Sequence, residues 1–236
     1  MGVDSKDVAA ALKAEVFPVL RAAGFSQFKT RTAWRIDTDT IAVVDFRSLG
    51  SYLGSAVGAT SHSFGTVAGL YFKAVHATPW AKEPLPARPD EWRCHARRVL
   101  RKGFFQLWCW RPDVWYVNRK GTNLESVIGD TVGAVRKQAL PWLDDLGDIS
   151  RALQVFESRD EGSMLPGIMH EILGGGMDSF DRAEISSALA LALGDRERAR
   201  EAWLRVLANP YYETLSDLRT LAAERIALIQ GSEAQR

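Results

Sequence analysis

Two cysteines and four histidines are the residues of this chain best equipped for metal or nucleophilic chemistry, and Cys94-His95 sets one of each side by side. With His62, His76 and Cys109 they supply the side-chain types of a zinc site, or of a thiol activated by an imidazole base. The spacing argues against both. Cys94 and Cys109 lack the paired CxxC rhythm of a structural zinc site. Adjacent residues of an extended strand point to opposite faces, so Cys94 and His95 are not expected to share a metal or a reacting atom. Cys94 reads as a small buried residue and His95 as a surface or hydrogen-bonded one.

Arg88, Arg93, Arg97, Arg98, Arg101 and Lys102 form the densest basic run, with Trp92, Phe104 and Phe105 among them. Cationic side chains neutralise phosphates and aromatic rings stack on bases, so nucleic acid or an anionic ligand is the partner chemistry such a run fits. Asp90 and Glu91 interrupt it, and it carries no nucleic-acid fold signature. The candidate ligand-binding residues are therefore Arg93, His95, Arg97 and Arg98 with Trp108 and Trp115, lining a cleft for a small anionic molecule. No catalytic set can be assigned. Asp37 and Asp39 belong to a turn, and with Asp45 they make no calcium loop. Gly174-Gly175-Gly176 lacks the phosphate-loop frame and reads as a joint between helices; His170-Glu171 fails HExxH because Gly174 stands where the second His is needed. No metal and no cofactor is expected.

These residues need a scaffold, and the composition says which kind. Of 236 residues, 46% are hydrophobic and 25% charged, with Lys+Arg 30 against Asp+Glu 29, the balance of a globular protein rather than a disordered or fibrous one. Two cysteines are too few for a disulfide framework, which makes the cytoplasm the expected compartment. Met1 to Asp7 is polar and acidic, and apolar runs such as Ile41 to Val44 and Ser187 to Leu193 fall far short of the ~20 residues that span a bilayer. Neither a signal peptide nor a membrane segment is expected, and Lys6 stands where a myristoylation motif needs Ser or Thr. The charge is uneven: residues 1–120 hold 18 Lys and Arg against 10 Asp and Glu, and the remainder 12 against 19. Either a basic surface meets an anionic partner, or the two halves pack together.

Val8, Ala11, Leu12, Val16, Val19 and Leu20 recur at helical spacing behind a cap at Asp4 or Ser5, with Gly24 as the stop and a bend or a second short segment at Pro18. Phe28 to Ile36 and Thr40 to Phe46 read as a hairpin turning at Asp37-Thr38-Asp39. A Gly- and Ser-rich loop over Ser48 to Ser61 leads to a bent strand over Ser63 to Lys73. Four prolines from Pro79 to Pro89 make an irregular connection, and strand-like runs follow at Phe104 to Trp110 and Val114 to Val117. Six of the eight tryptophans lie between Trp34 and Trp115, which points to an aromatic core or sheet face. After Gly121 the period becomes helical, with Thr122 or Asn123 as cap and Pro141 near the end; Ile149 to Phe156 is a further helix, and strands do not obviously return. A boundary is expected at Ser158 to Gly162.

The distal segment, Asp181 to Leu207, looks like one tetratricopeptide-type helical hairpin: Gly194-Asp195 at the turn, Ala199 at the small position, Trp203 at the large aromatic one and Leu207 at a later apolar one. Pro210 comes one residue early for that pattern, and a last helix covers Thr214 to Ile229. One pair is fewer than a solenoid needs, so it reads as a helical appendage.

The ordered motifs Val19-Leu20 to Gly24-Phe25, Arg31 to Arg35, Val43 to Ser48, Ser63-Phe64, Leu70-Tyr71-Phe72, Trp92 to Arg98, Val114-Trp115-Tyr116 and Leu140-Pro141-Trp142-Leu143 resemble the bacterial family called domain of unknown function 4304, over about Asp7 to Phe156. The resemblance implies an α+β domain, a curved, mostly antiparallel sheet flanked by helices, and carries no reaction and no functional residue. The expected organisation is an α+β domain over 1–158 followed by a small all-α appendage over 163–231. The expected function is that of a non-enzymatic protein-binding or regulatory module; the alternatives are an enzyme or small anionic-ligand binder using a cleft near Arg93, His95 and Arg97, and thirdly nucleic-acid binding.

Overall fold

The computed structural model describes residues 2–103, 111–158, 171–173 and 179–231. Helix α1 (Ser5–Ala11) starts at Asp4, whose carboxylate accepts from the Lys6 and Asp7 N–H groups, while the Asp7 carboxylate accepts from the Asp4 N–H. The helix widens into a π turn at Leu12–Val16 and continues as α2 (Phe17–Ala22). That turn stands directly ahead of Pro18. Proline offers no N–H and its ring crowds the carbonyl four residues back; the extra residue of a π turn lets the helix run past it. Gly24, at φ 87°, ends the helix in the left-handed region that only glycine enters freely.

The chain then enters an open sheet: β1 (Gln27–Lys29), β2 (Thr32–Ile36) and β3 (Thr40–Ser48). The expected strand over Phe28 to Ile36 is thus two strands, because the chain turns at Thr30-Arg31, where the Arg31 guanidinium reaches back to the Ser5 carbonyl and hydroxyl at 3.0 Å each. Part of the expected loop is helical, α3 (Gly50–Ala56). Gly and Ser are weak helix formers, and tertiary packing overrides them: a Cβ on Gly54 would lie 3.0 Å from the Thr60 carbonyl oxygen. Strands β4 (Phe64–Phe72), β5 (Ala96–Val99) and β6 (Val114–Trp115) follow, then α4 (Leu124–Ala134), a π turn at Val135–Ala139 and α5 (Leu140–Gly147). Pro141 sits in the first turn of α5, so the second long helix passes its proline by the same device. After α6 (Ile149–Ser158) a strand does return, β7 (Glu171–Ile172), against the edge of β5. Only two residues long, it carries too little pattern to show in the sequence. The sheet order is β1-β2-β3-β4-β5-β7, with β6 also on β4, and every pairing is antiparallel.

One sheet face packs on the helices, and a line of rings crosses it: Phe17 to Phe46 and Phe46 to Phe64 at 6.4 Å each, and Phe64 stacked on Trp115 at 6.0 Å. The other face carries the buried cluster Trp34, Ile41, Val43, Tyr71 and Cys94. The proline-bearing connection lies against it, tied by the Trp34 indole N–H, which donates to the Pro89 carbonyl at 2.8 Å. Trp34, Trp80 and Trp115 are buried as the aromatic-core reading requires, whereas Trp92 is 63% exposed.

Helices α7 (Phe180–Ala192), α8 (Arg196–Ala208) and α9 (Ser216–Gly231) complete the chain, with Gly194 at φ 78° in the turn between the first two. Trp203 is fully buried, edge-on to Phe180 at 5.0 Å and to Trp80 at 6.1 Å, so the hairpin's large aromatic meets the connection after β4. Arg182 is buried beneath α6 and donates to the Phe156 carbonyl at 2.7 Å and the Val155 carbonyl at 3.4 Å. These are carbonyls of the last helical turn, which has no partners of its own and the negative end of the helix dipole. The boundary expected at Ser158 to Gly162 lies, past Ser158, outside the described residues, as do the Gly174-Gly175-Gly176 joint, Cys109, His170 and the run Phe104 to Trp110.

Candidate functional site

On the sheet face away from α1 and α4, a cleft of about 540 Å³ opens between the end of β4, the connection after it and helix α7. Tyr71, His95, Cys94, Arg97 and Trp92 line the sheet side, His76, Val75, Lys82 and Glu83 the connection, and Asp181, Glu184 and Ile185 the helix side. Strand geometry explains the floor. Leu70 pairs with Ala96, which brings Tyr71 opposite His95 on the same face, with ring centroids 4.2 Å apart, and Gly69 pairs with Arg97.

The hydrogen bonds fix two tautomers. The Phe72 N–H donates to His95 Nδ1 at 2.9 Å, so the neutral ring carries its proton on Nε2. Burial, reinforced by nearby His76, lowers the pKa of His95 from 6.5 to about 3, and the ring is neutral at physiological pH. His76 Nδ1 faces the Glu83 carbonyl at 2.8 Å; a carbonyl only accepts, so Nδ1 bears the proton and the Nε2 lone pair accepts from the Tyr71 hydroxyl. Burial raises the Tyr71 pKa, with Arg93 opposing, so the phenol keeps that proton.

Charge is placed with equal care. Glu91, 3% exposed, pairs with Arg47 and stands 4.0 Å from Arg97 Nη1. Arg97 therefore has a buried carboxylate at the outer limit of ion-pair range, and it lines the cleft. Arg93 pairs with Glu83 at 3.0 Å and lies 6.0 Å from the Trp92 ring centroid, on the rim. Across the cleft, burial raises the Glu184 pKa against the opposing pull of Arg225; Asp181 one turn before it raises it further and the Trp80 indole N–H, beside the carboxylate, lowers it.

His95 and Arg97 thus line one cleft, while Arg93 is not among its lining residues and reaches it only through its partner Glu83 and its neighbour Trp92. Nor does Arg98 line it: it pairs with Ala68 and falls on the helix side of the sheet, since neighbours on a strand face opposite ways. Trp115 belongs to the core; it is fully buried against Phe64, its indole N–H donating to Asp130 Oδ2 at 3.0 Å. Trp108 lies outside the described residues. Cys94 and His95 both line the cleft, against the expectation of opposite faces, because Cys94 closes a 3-10 turn (Glu91–Arg93) and β5 begins only at Ala96. Cys94 is not poised as a nucleophile: burial pushes its thiol up, and its Sγ packs over Gly69, where a Cβ would lie 2.7 Å away. Among the described residues no group of three or more His, Cys, Asp and Glu is placed to hold a metal ion.

The cleft residues absent from the sequence argument are Tyr71, Lys82, Glu83, Asp181 and Glu184. The last two did leave a signal: carboxylates three apart on a helix whose following turns are buried almost all round.

The sequence model of the family described as a domain of unknown function (DUF4304) matches residues 16–145, more than half of the chain. The chain belongs to that family. No curated protein and no solved structure matches it. The matched stretch of this DUF4304 chain holds the sheet side of the cleft, and the helix side lies beyond it. No helix among the described residues is long and apolar enough to cross a membrane.

Proposed function

We propose that this DUF4304 protein is a cytoplasmic bacterial binding module, regulatory rather than catalytic, whose cleft takes a small molecule with an anionic group. The observation that carries the reading is that Arg97, His95 and Trp92 line one concavity walled by α7. An Arg near a buried carboxylate and a neutral imidazole N–H donor in the same lining make a grip for carboxylate or phosphate oxygens. A binding role is favoured over thiol-based catalysis because burial holds the Cys94 thiol protonated.

The test is native mass spectrometry of the full chain purified from a bacterial lysate, beside Arg97→Gln. A retained anionic metabolite that falls at least tenfold in the variant supports the reading. Undiminished retention, or no retained small molecule in either protein, overturns it. A second reading is favoured by Leu204, Tyr211, Leu215 and Leu228, all exposed on α8, α9 and the turn between them: a tetratricopeptide-like tail that docks a protein segment. Its mark would be a protein partner captured by the wild type and lost on changing Leu204 and Tyr211 to polar residues.

A further inference from the structure

The cleft divides its charge. Arg97 and His95 stand on the sheet side and Lys82 beside them on the connection, where Glu83 is paired with Arg93 at 3.0 Å; Asp181 and Glu184 stand on α7. Neither carboxylate makes an ion pair within 4.0 Å among the described residues, and Arg225 stands near Glu184 but beyond that distance. A half-buried carboxylate beside a second one, with no cation in contact, is stabilised by an incoming ammonium. Arg97 is likewise only loosely engaged, at 4.0 Å from a Glu91 that Arg47 holds closely. The two banks come from the basic and acidic halves of the chain, so the unevenness of charge along the sequence becomes a gradient across the cleft. Ile185 on α7 and Val75 on the connection add apolar surface to the lining, and the Trp92 ring is open to solvent.

We infer that the cleft selects a zwitterion, a free amino acid or the termini of a very short peptide, with its carboxylate on Arg97 and His95 and its ammonium on Asp181 and Glu184. This rests on the small-molecule reading above and narrows it. A purely anionic ligand would leave two carboxylates facing it uncompensated, and a purely cationic one would leave Arg97 so. A cleft of about 540 Å³ has room for an apolar side chain against Ile185 and Trp92.

The experiment is a thermal-shift titration of the full chain with leucine, phenylalanine and Leu-Leu, each beside its N-acetyl and its carboxamide form. For a free zwitterion at a hundredfold excess over its Kd, the melting temperature should rise by about 5 °C or more. Both blocked forms should bind at least tenfold more weakly, and Glu184→Gln should lose the preference for the free ammonium. An N-acetyl form that binds as well as the free compound overturns the zwitterion inference and leaves the small-anion reading standing. A carboxamide that binds as well overturns both. No shift with any of these compounds also overturns the inference, and metabolite retention by the wild type against Arg97→Gln then decides the broader reading on its own.

Discussion

Acidification should destabilise this protein through His95, and replacing that residue should remove that part of the loss. In the folded state Nδ1 is occupied by the Phe72 N–H at 2.9 Å and the ring lies on Tyr71, so the imidazole resists a proton until about pH 3; an unfolded chain takes one near 6.5. Between those values the unfolded state binds more protons than the folded one. Stability is therefore full above about pH 6.5 and falls as the pH drops towards 3. The slope is about 1.4 kcal/mol per pH unit, which gives about 2 kcal/mol at pH 5, reduced to about 1–2 kcal/mol because the ring keeps some contact with solvent. The perturbation is His95→Asn, whose side-chain oxygen can still accept from the Phe72 N–H but does not titrate. The assay is urea unfolding followed by tryptophan fluorescence at about pH 7.5 and about pH 5. At the higher pH the variant should be weaker by about 1–3 kcal/mol, from the lost ring contacts. Between the two pH values, however, it should lose about 1–2 kcal/mol less than the wild type. His62 and His76 are present in both proteins and cancel. Equal losses in wild type and variant would refute the tautomer and the linkage together.

Arg182→Met should cost about 2–4 kcal/mol, since it strips the α6 carbonyls of Val155 and Phe156 of their buried donor, and urea unfolding should show it; a change below about 0.5 kcal/mol would mean that solvent can do the same work. Gly69→Ala should destabilise by about 1–3 kcal/mol because the new methyl meets Cys94 Sγ at 2.7 Å, and adding Cys94→Ala should recover part of the loss. Strictly additive effects of the two changes would deny that contact.

Legibility in the sequence followed the range of the forces involved. The Asp4 cap, the Gly24 stop and the α7–α8 hairpin around Gly194 are set by residues within a few positions of one another, and they stand where periodicity and capping chemistry put them. The errors came where tertiary packing outweighs local preference. Gly- and Ser-rich 48–61 contains α3 because Gly54 must press on the Thr60 backbone, and β7 exists because β5 offers it an edge. Of the bend or second short segment expected at Pro18, the second segment is present as α2, and only the π turn that joins it to α1 is a detail that side-chain periodicity does not encode.

The cleft itself shows the same division. Strand alternation was the right rule and was applied to the wrong pair: it separates Arg97 from Arg98, which do lie on β5, and not Cys94 from His95, which straddle the entry from a 3-10 turn. Pairing of β4 with β5 then sets His95 on Tyr71, and that step needs only the register of the sheet. The acidic wall needs more. Asp181 reaches the cleft because Arg182, the next residue, is drawn under α6 by two carbonyls, and because Trp203 closes on Trp80. Those contacts join segments that the chain keeps far apart, so the helix side of the cleft depends on the tail docking, whereas Arg97 on the sheet side is held by Gly69 of β4 as well as by Ile172 of β7. The full chain with Asp181→Asn and Glu184→Gln therefore keeps Arg97 and His95 but loses the acidic wall, and it should bind a simple carboxylate without preferring a zwitterion.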